Sequence, residues 1–551
     1  MLDSTSSPPP DSPWLIHSSL VLTPMAANTS SSRRRFLVAG GVTAAAAGLG
    51  GLDLVGFPGR QASAADAARQ KGRARTISIF HSTDLHGRIL PTETYEGLKD
   101  VGGFARVATC LRRWRQECPH SLTVDVGDVV QGTAASIHSG GRLMIDLFNR
   151  LGYDAWTLGN HDFDWGPEKT EALLADSACP VLTANLEKGG NRPGGFAGAW
   201  EKVKPWTIRE VGGFKIGLVG LITPGLPYWL SPETLGGVAP LDPVETLAAA
   251  VREVQGEKVD AVVVTGHMGW RFNDDYANPV RTMLKEVKGV DVYLAGHSHQ
   301  NQPAWMMHDV LCSQASYYGI HCGRIDLTFD LASRKLVDRR AFTVLMDDRF
   351  ALDPAVMQLA NPDLAASEEE LAREVARVTK LIPGKGRNSR VVQLLCECFA
   401  GELAKRGTKV DGVFHGSFGT GDLDPGKLTV GDCWKIIPYE NMLAVAEVTA
   451  ADLAAIIAED AKVRDSDRTL WPFEVTAEPG GKVTRIALGG QDLAPDRRVT
   501  IAFNSYDAQS GGRRLMRMRE ILDAPAAKRT TTPLDTRSAL ISGLLDRGTV
   551  G

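Results

Sequence analysis

Residues 76–87 read TISIFHSTDLHG. Ile77, Ile79 and Phe80 sit in a short run of β-formers that reads as a buried strand, and the chain then turns polar through Asp84 and His86. The same pattern returns four times. SLTVDV (121–126) leads into Gly127 and Asp128, and DAWTL (154–158) into GNHDFD, with Asn160 and His161. VDAVVVT (259–265) leads into Gly266 and His267, and VDVYLA (290–295) into GHSH, with His297 and His299. Open α/β sheets place their ligands just past the carboxyl ends of strands. His81, His86, His161, His267, His297 and His299 are half of the chain's 12 histidines, and all are expected in the loops at these strand ends. One Asp-x-His in a loop is an ordinary cap or surface pair. Five strand ends with the same placement imply a shared site.

Between the strands lie amphipathic stretches at 104–117, 142–152, 168–177 and 243–255, which read as helices. Strands alternating with helices predict an α/β domain, taken here as residues 75–345. Ser367 followed by Glu370 makes a capping box, and Pro383-Gly384 makes a stop. A charged helix there is expected within a linker, 346–385. A second domain, 386–551, opens with a helix near 389–404 and continues in loops and short strands.

Seven donors emerge: Asp84, His86, Asp128, Asn160, His267, His297 and His299. With one bridging carboxylate they supply four ligands to each of two metals. All offer nitrogen or oxygen, which suits Mn, Zn, Fe or Co; calcium wants more oxygen and soft metals want thiolate. A pair of dications held by two aspartates keeps a positive charge that matches a phosphate dianion, and such a pair can hold both oxygens of an in-line displacement.

The segments HSTDLHG, DVGDVVQG, LGNHDFD, TGHMG and AGHSH resemble, in order, the motifs of the 5'-nucleotidase family of metallophosphoesterases. The resemblance implies a layered β-sandwich flanked by helices, followed by a smaller α+β domain that binds the substrate. It implies one metal on Asp84, His86, Asp128 and His299, and another on Asp128, Asn160, His267 and His297. The position of His299 is Gln in many members. His161 corresponds to the family's non-ligand catalytic histidine, Asp164 to the carboxylate that orients it, and Asp162, where Glu is usual, to a cap or turn. The nucleophile implied is a water or hydroxide on the metals. HGSFG (415–419) lacks the G-x-S-x-G spacing of a serine hydrolase.

LTVGDCWKIIPYENMLAVAEVTAADLAAII resembles the family's nucleoside-binding domain. There two rings sandwich the base; Tyr439 and Tyr506 fall on those places. The phosphate-binding loop departs from the family. HGSFGTGD puts Thr420 where an Arg is expected, and SGGRR puts Arg513 where an acid is expected. Arg387 or Arg390 aligns with the other family arginine.

With 551 residues, 43% hydrophobic and 23% charged, the chain can bury large cores, and a net charge of -4 does not suggest a nucleic-acid polymer as partner. Residues 1–64 read as a leader: Arg33-Arg34 precede Phe36-Leu37 and a weakly apolar run, and Ala62–Ala64 (ASA) forms a small-residue cleavage site. The pattern resembles a twin-arginine export signal. Either Met1 or Met25 serves as the start. The expectation is export by the twin-arginine machinery to the periplasm or exterior, with no stable membrane span in the mature chain. No CxxC pair exists among the eight cysteines, so a thiolate zinc site is not expected; Cys312 and Cys322 are close enough in sequence to form a disulfide.

The reading is an exported two-metal phosphohydrolase of nucleotides or related small phosphoesters, among them 2',3'-cyclic nucleotides and nucleotide sugars. The alternatives are a sulfur-ester hydrolase of the same superfamily and a non-catalytic binding protein on a metal scaffold.

Overall fold

Alternating Ile, Val and Leu side chains turn two sheets toward each other. A computed structural model describes residues 72–417 and 421–551. The leader read from residues 1–64 lies outside the described residues, as does Thr420. The first sheet has seven strands in the order Leu336–Leu345, His321–Asp330, Ala74–Ser82, Ser121–Asp125, Ala155–Thr157, Val181–Leu182 and Val203–Lys204. From Ala74–Ser82 to Val203–Lys204 the strands run parallel. The second sheet has six strands, with Phe214–Ile222, Ala261–His267, Val292–Ala295 and Val310–Ala315 in parallel at its centre.

Ile77, Ile79 and Val124 of the first sheet meet Leu218, Val263 and Leu294 of the second in a buried layer. Helices cover the outer faces. Phe104–Glu117, Arg142–Leu151 and Pro167–Asp176 bury Phe104, Phe148 and Leu174 on the first sheet, and Pro243–Gly256 and Val280–Glu286 bury Leu247 and Met283 on the second. Helix, sheet, sheet, helix is the layered α/β sandwich expected. With both faces of each sheet covered, the parallel strands read as continuous apolar runs. The strand ends that carry the polar clusters converge at one rim.

The smaller α+β domain is built on a five-stranded sheet in the order Thr469–Trp471, Gly412–His415, Arg498–Asn504, Met442–Thr449 and Thr530–Asp535. Arg390–Lys405 and Thr536–Arg547 pack around Phe399 and Leu540, while Ala450–Asp460 and Met516–Asp523 pack around Ile456 and Met518.

Three expectations need correction. The helix expected from a cap at Ser367 starts earlier and spans Pro354–Ala372, because the Asp353 carboxylate accepts from the backbone N–H of Ala355 and Val356. Ser367 lies inside it, its hydroxyl donating to the Leu364 carbonyl. Beyond it, Glu374–Val378 is not helical but a strand paired with Gly426–Thr429 and Thr549–Val550. His81 is not in a loop: it is the eighth residue of Ala74–Ser82, fully buried, and burial pushes its pKa down to about 3. Cys312 and Cys322 do not bond: they lie on strands of different sheets, and all eight cysteines are free thiols. Among the described residues no helix is long and apolar enough to cross a membrane.

Candidate metal centre and interdomain cleft

Three of the five strand ends deliver their side chains through a backbone that turns left-handed. Asp84, His86, Asp128, His297 and His299 all have φ between 48° and 68°. For residues other than Gly this conformation costs of order 1–3 kcal/mol each and persists only where the surroundings hold it. Here the surroundings do. Asp84 N–H donates to the Gly127 carbonyl at 2.8 Å, and His86 N–H to the Asp128 carbonyl at 2.9 Å. The Asp84 carboxylate accepts from Thr83 Oγ1 at 2.6 Å and from His297 N–H at 3.0 Å. Gly159 admits no side chain, since a Cβ would stand 2.2 Å from Asp128 Oδ1.

Asp162 organises the loops beneath. Its carboxylate accepts from the backbone N–H of Gly159 (2.8 Å), Val129 (2.9 Å), Asp128 (3.1 Å) and Val130 (3.3 Å). The cap or turn expected of it thus ties the Asp128 loop to the Asn160 loop. Asp162→Asn puts an amide donor against these buried donors. It is expected to lower stability by about 1–3 kcal/mol, read from the midpoint of urea unfolding. An unchanged midpoint would remove the role.

Two overlapping clusters result. Asp84, His86, Asp128 and His299 present donor atoms within 4.8 Å of one another, and so do Asp128, His267 and His297. Asp128 belongs to both. Its Oδ2 lies 3.1 Å from His267 Nε2 and 3.6 Å from His86 Nε2, yet is hydrogen-bonded to neither. Asn160 Oδ1 is also buried without a hydrogen-bond partner. Buried polar atoms are normally paired, so these buried oxygens, gathered with imidazole nitrogens around one point, fit a cation. In two of the histidines the other ring nitrogen is tied back: His86 Nδ1 to the Gln131 carbonyl at 2.9 Å and His267 Nδ1 to the Val126 carbonyl at 2.7 Å. That is the support metal-binding histidines need. Burial holds His86 and His297 down to about 3, so both are neutral.

His161 is different. Its Nδ1 is 2.7 Å from Asp164 Oδ2, and its ring centre is 5.3 Å from that of His86. Burial alone would lower its pKa, but Asp164 and Asp128 outweigh that and raise it to about 10. Its backbone N–H donates to Asp128 Oδ1 at 2.8 Å, so the residue is anchored to the shared carboxylate.

Asn160, His161 and Asp164 line one wall of a cleft of about 480 Å³ whose other wall comes from the second domain, with Tyr439, Tyr506 and Arg468. The Tyr439 ring stacks on His161, 5.8 Å between centres and 13° from parallel. Next to it, Glu440 pairs with Arg537 of its own domain and accepts from Gln131 Nε2 at 3.2 Å and Trp165 Nε1 at 3.4 Å across the cleft.

The expected arginines do not line the cleft. Arg387 is spent on Asp460 at 2.6 Å, and Arg390 on Glu397 within its own helix. Arg513 lies 5.2 Å from the ring centres of both Tyr228 and Tyr276. The cleft's arginines are instead Arg464, paired with Asp465, Arg468, bound to Asp507 and Asp460, and Arg514, which donates to the Tyr506 hydroxyl at 2.8 Å. Trp229, its ring centre 5.2 Å from that of His297, was not foreseen either. Arg514 adjoins Arg513 in SGGRR, and that doubled Arg was the one available signal.

Two helix-flanked sheets with an Asp and His rim define the class, a metallophosphoesterase scaffold. The calcineurin-like phosphoesterase profile matches residues 77–301, and the 5'-nucleotidase C-terminal domain profile matches 370–519. The chain belongs to the 5'-nucleotidase family of metallophosphoesterases. It is 24% identical over 486 residues to the trifunctional nucleotide phosphoesterase protein YfkN of Bacillus subtilis, covering 79% of this chain and 32% of that one. It is 26% identical over 352 residues to the 5'-nucleotidase of Bos taurus, covering 59% and 58%. The chain thus spans less than two thirds of either relative. The crystal structure of a 5'-nucleotidase precursor from Thermus thermophilus superimposes with a TM-score of 0.65 at 22% identity, over 87% of this chain and 97% of that one, a likeness of fold.

Proposed function

We propose that the chain is an exported phosphohydrolase that uses two divalent metal ions and acts on nucleotides or related small phosphoesters. The observation that carries the reading is the pair of donor clusters sharing Asp128, opening through His161 onto a cleft walled by both domains. Asp84, His86, Asp128 and His299 would hold one ion, and Asp128, Asn160, His267 and His297 the other. Such ions supply Lewis acidity toward a phosphoryl oxygen and an activated water at neutral pH.

The chain's own residues do the rest. Asp164 fixes the tilt of the His161 ring and favours its protonated form, so that His161 donates toward charge developing on the phosphoryl group or the leaving oxygen. Asp162 holds the two loops in register, which keeps Asn160 and His161 aimed at one point. Tyr439 and Tyr506 offer faces for a base. Arg468 is largely neutralised by its carboxylates, so it is better suited to shape the cleft than to clamp a phosphate. The substrates in view are nucleotides, 2',3'-cyclic nucleotides and nucleotide sugars. Export rests on the leader pattern in residues 1–64.

The test is phosphate release from AMP, UDP-glucose, the cyclic AMP isomers and bis-p-nitrophenyl phosphate with Mn added. Turnover of at least one nucleotide is expected. Silence on all of them with metal bound would favour the binding-protein reading. Tyr439→Ala should raise KM for nucleotides by the loss of about 1–3 kcal/mol of stacking, and change KM for bis-p-nitrophenyl phosphate little. Equal effects on both would remove the stacking role.

A further inference from the structure

His299 differs from the other two clamped imidazoles in what holds it. His86 and His267 are held at Nδ1 by backbone carbonyls. His299 Nδ1 is held by a side chain: the hydroxyl of Tyr95, at 2.8 Å. Its Nε2 then faces inward, 3.3 Å from Asp84 Oδ1 and 3.2 Å from His86 Nε2.

We propose that Tyr95 is a positioning residue of the metal centre, its phenol fixing the tautomer and tilt of His299 so that Nε2 is offered to the Asp84–His86–Asp128 ion. The inference rests on reading that cluster as a metal centre. An imidazole that gives Nε2 to a cation carries its proton on Nδ1, and that proton needs an acceptor. The Tyr95 oxygen is that acceptor. The phenol's own proton points onward, to the Tyr318 hydroxyl at 3.4 Å. The donor sense is therefore consistent from ligand to rim.

Tyr95 is itself placed rather than loose. Its backbone N–H donates to the Tyr317 hydroxyl at 2.8 Å, and its ring stacks on Tyr317 with centres 4.2 Å apart. Tyr317 stacks in turn on the His299 ring at 5.1 Å. A carbonyl clamp cannot be removed by substitution, but this one can. Tyr95 is 40% exposed, and Phe keeps the ring that stacks on Tyr317.

The experiment compares Tyr95→Phe, His299→Gln and the double variant in the full chain. Zn²⁺ or Co²⁺ affinity and stoichiometry are read by competition with a chromophoric chelator, and melting temperature is measured on metal-stripped protein. Tyr95→Phe is expected to weaken one ion by about 10–100-fold, with the other ion and the metal-free melting temperature unchanged. Because the phenol acts through the imidazole, the double variant should bind no more weakly than His299→Gln alone. Unchanged affinity in Tyr95→Phe overturns the proposal, and so do losses that multiply in the double variant. Failure of the underlying reading looks different: the unsubstituted protein then binds no ion, which overturns the clamp along with it.

Discussion

Asp128→Asn is expected to cost the protein both ions, not one. Asp128 is the single residue common to the two donor clusters, and it is fully buried. Asn keeps the shape and can still accept from the His161 N–H, so the loop should survive. It removes the negative charge that lies 3.1 Å from His267 Nε2 and 3.6 Å from His86 Nε2. Taking a charged ligand from a two-metal site forfeits several kcal/mol of transition-state stabilisation, so turnover should fall by about 10³-fold or more. Elemental analysis of the folded variant checks the first part and phosphate release the second. Retention of two ions per chain would show that Asp128 is not the bridge.

His161→Ala should separate chemistry from metal binding. His161 offers no atom to either cluster, and its Nδ1 is committed to Asp164. Its loss should leave metal content intact while lowering turnover by about 10²–10⁴-fold, the usual range for a general acid. Asp164→Asn should give a smaller version of the same effect, because the ring stays in place but its proton is less favoured. Metal loss in step with activity loss in His161→Ala would mean that the residue supports the site and does not take part in the reaction.

The first domain could be read from sequence because its signals are local. Each donor lies within a few residues of an apolar run whose type and direction are plain, as in TISIFHSTDLHG. The six aspartate and histidine donors named there lie in the two clusters. The boundary near residue 353 was missed because two caps competed. Ser367-x-x-Glu370 matches the capping box better than Asp353 does, but Pro354 behind Asp353 starts the helix earlier. The second domain was less legible because its arginines are set by distant partners. Arg387 meets a carboxylate 73 residues away. No window of sequence holds both ends of such a pair. Arg387 therefore looks available until the fold supplies its carboxylate.

The most direct measurement is anomalous diffraction from crystals of an active preparation. Two peaks are expected. One should lie about 2.0–2.2 Å from donor atoms of Asp84, His86, Asp128 and His299, and the other at like distance from Asp128, Asn160, His267 and His297. An active protein with no bound metal at these residues would contradict the account.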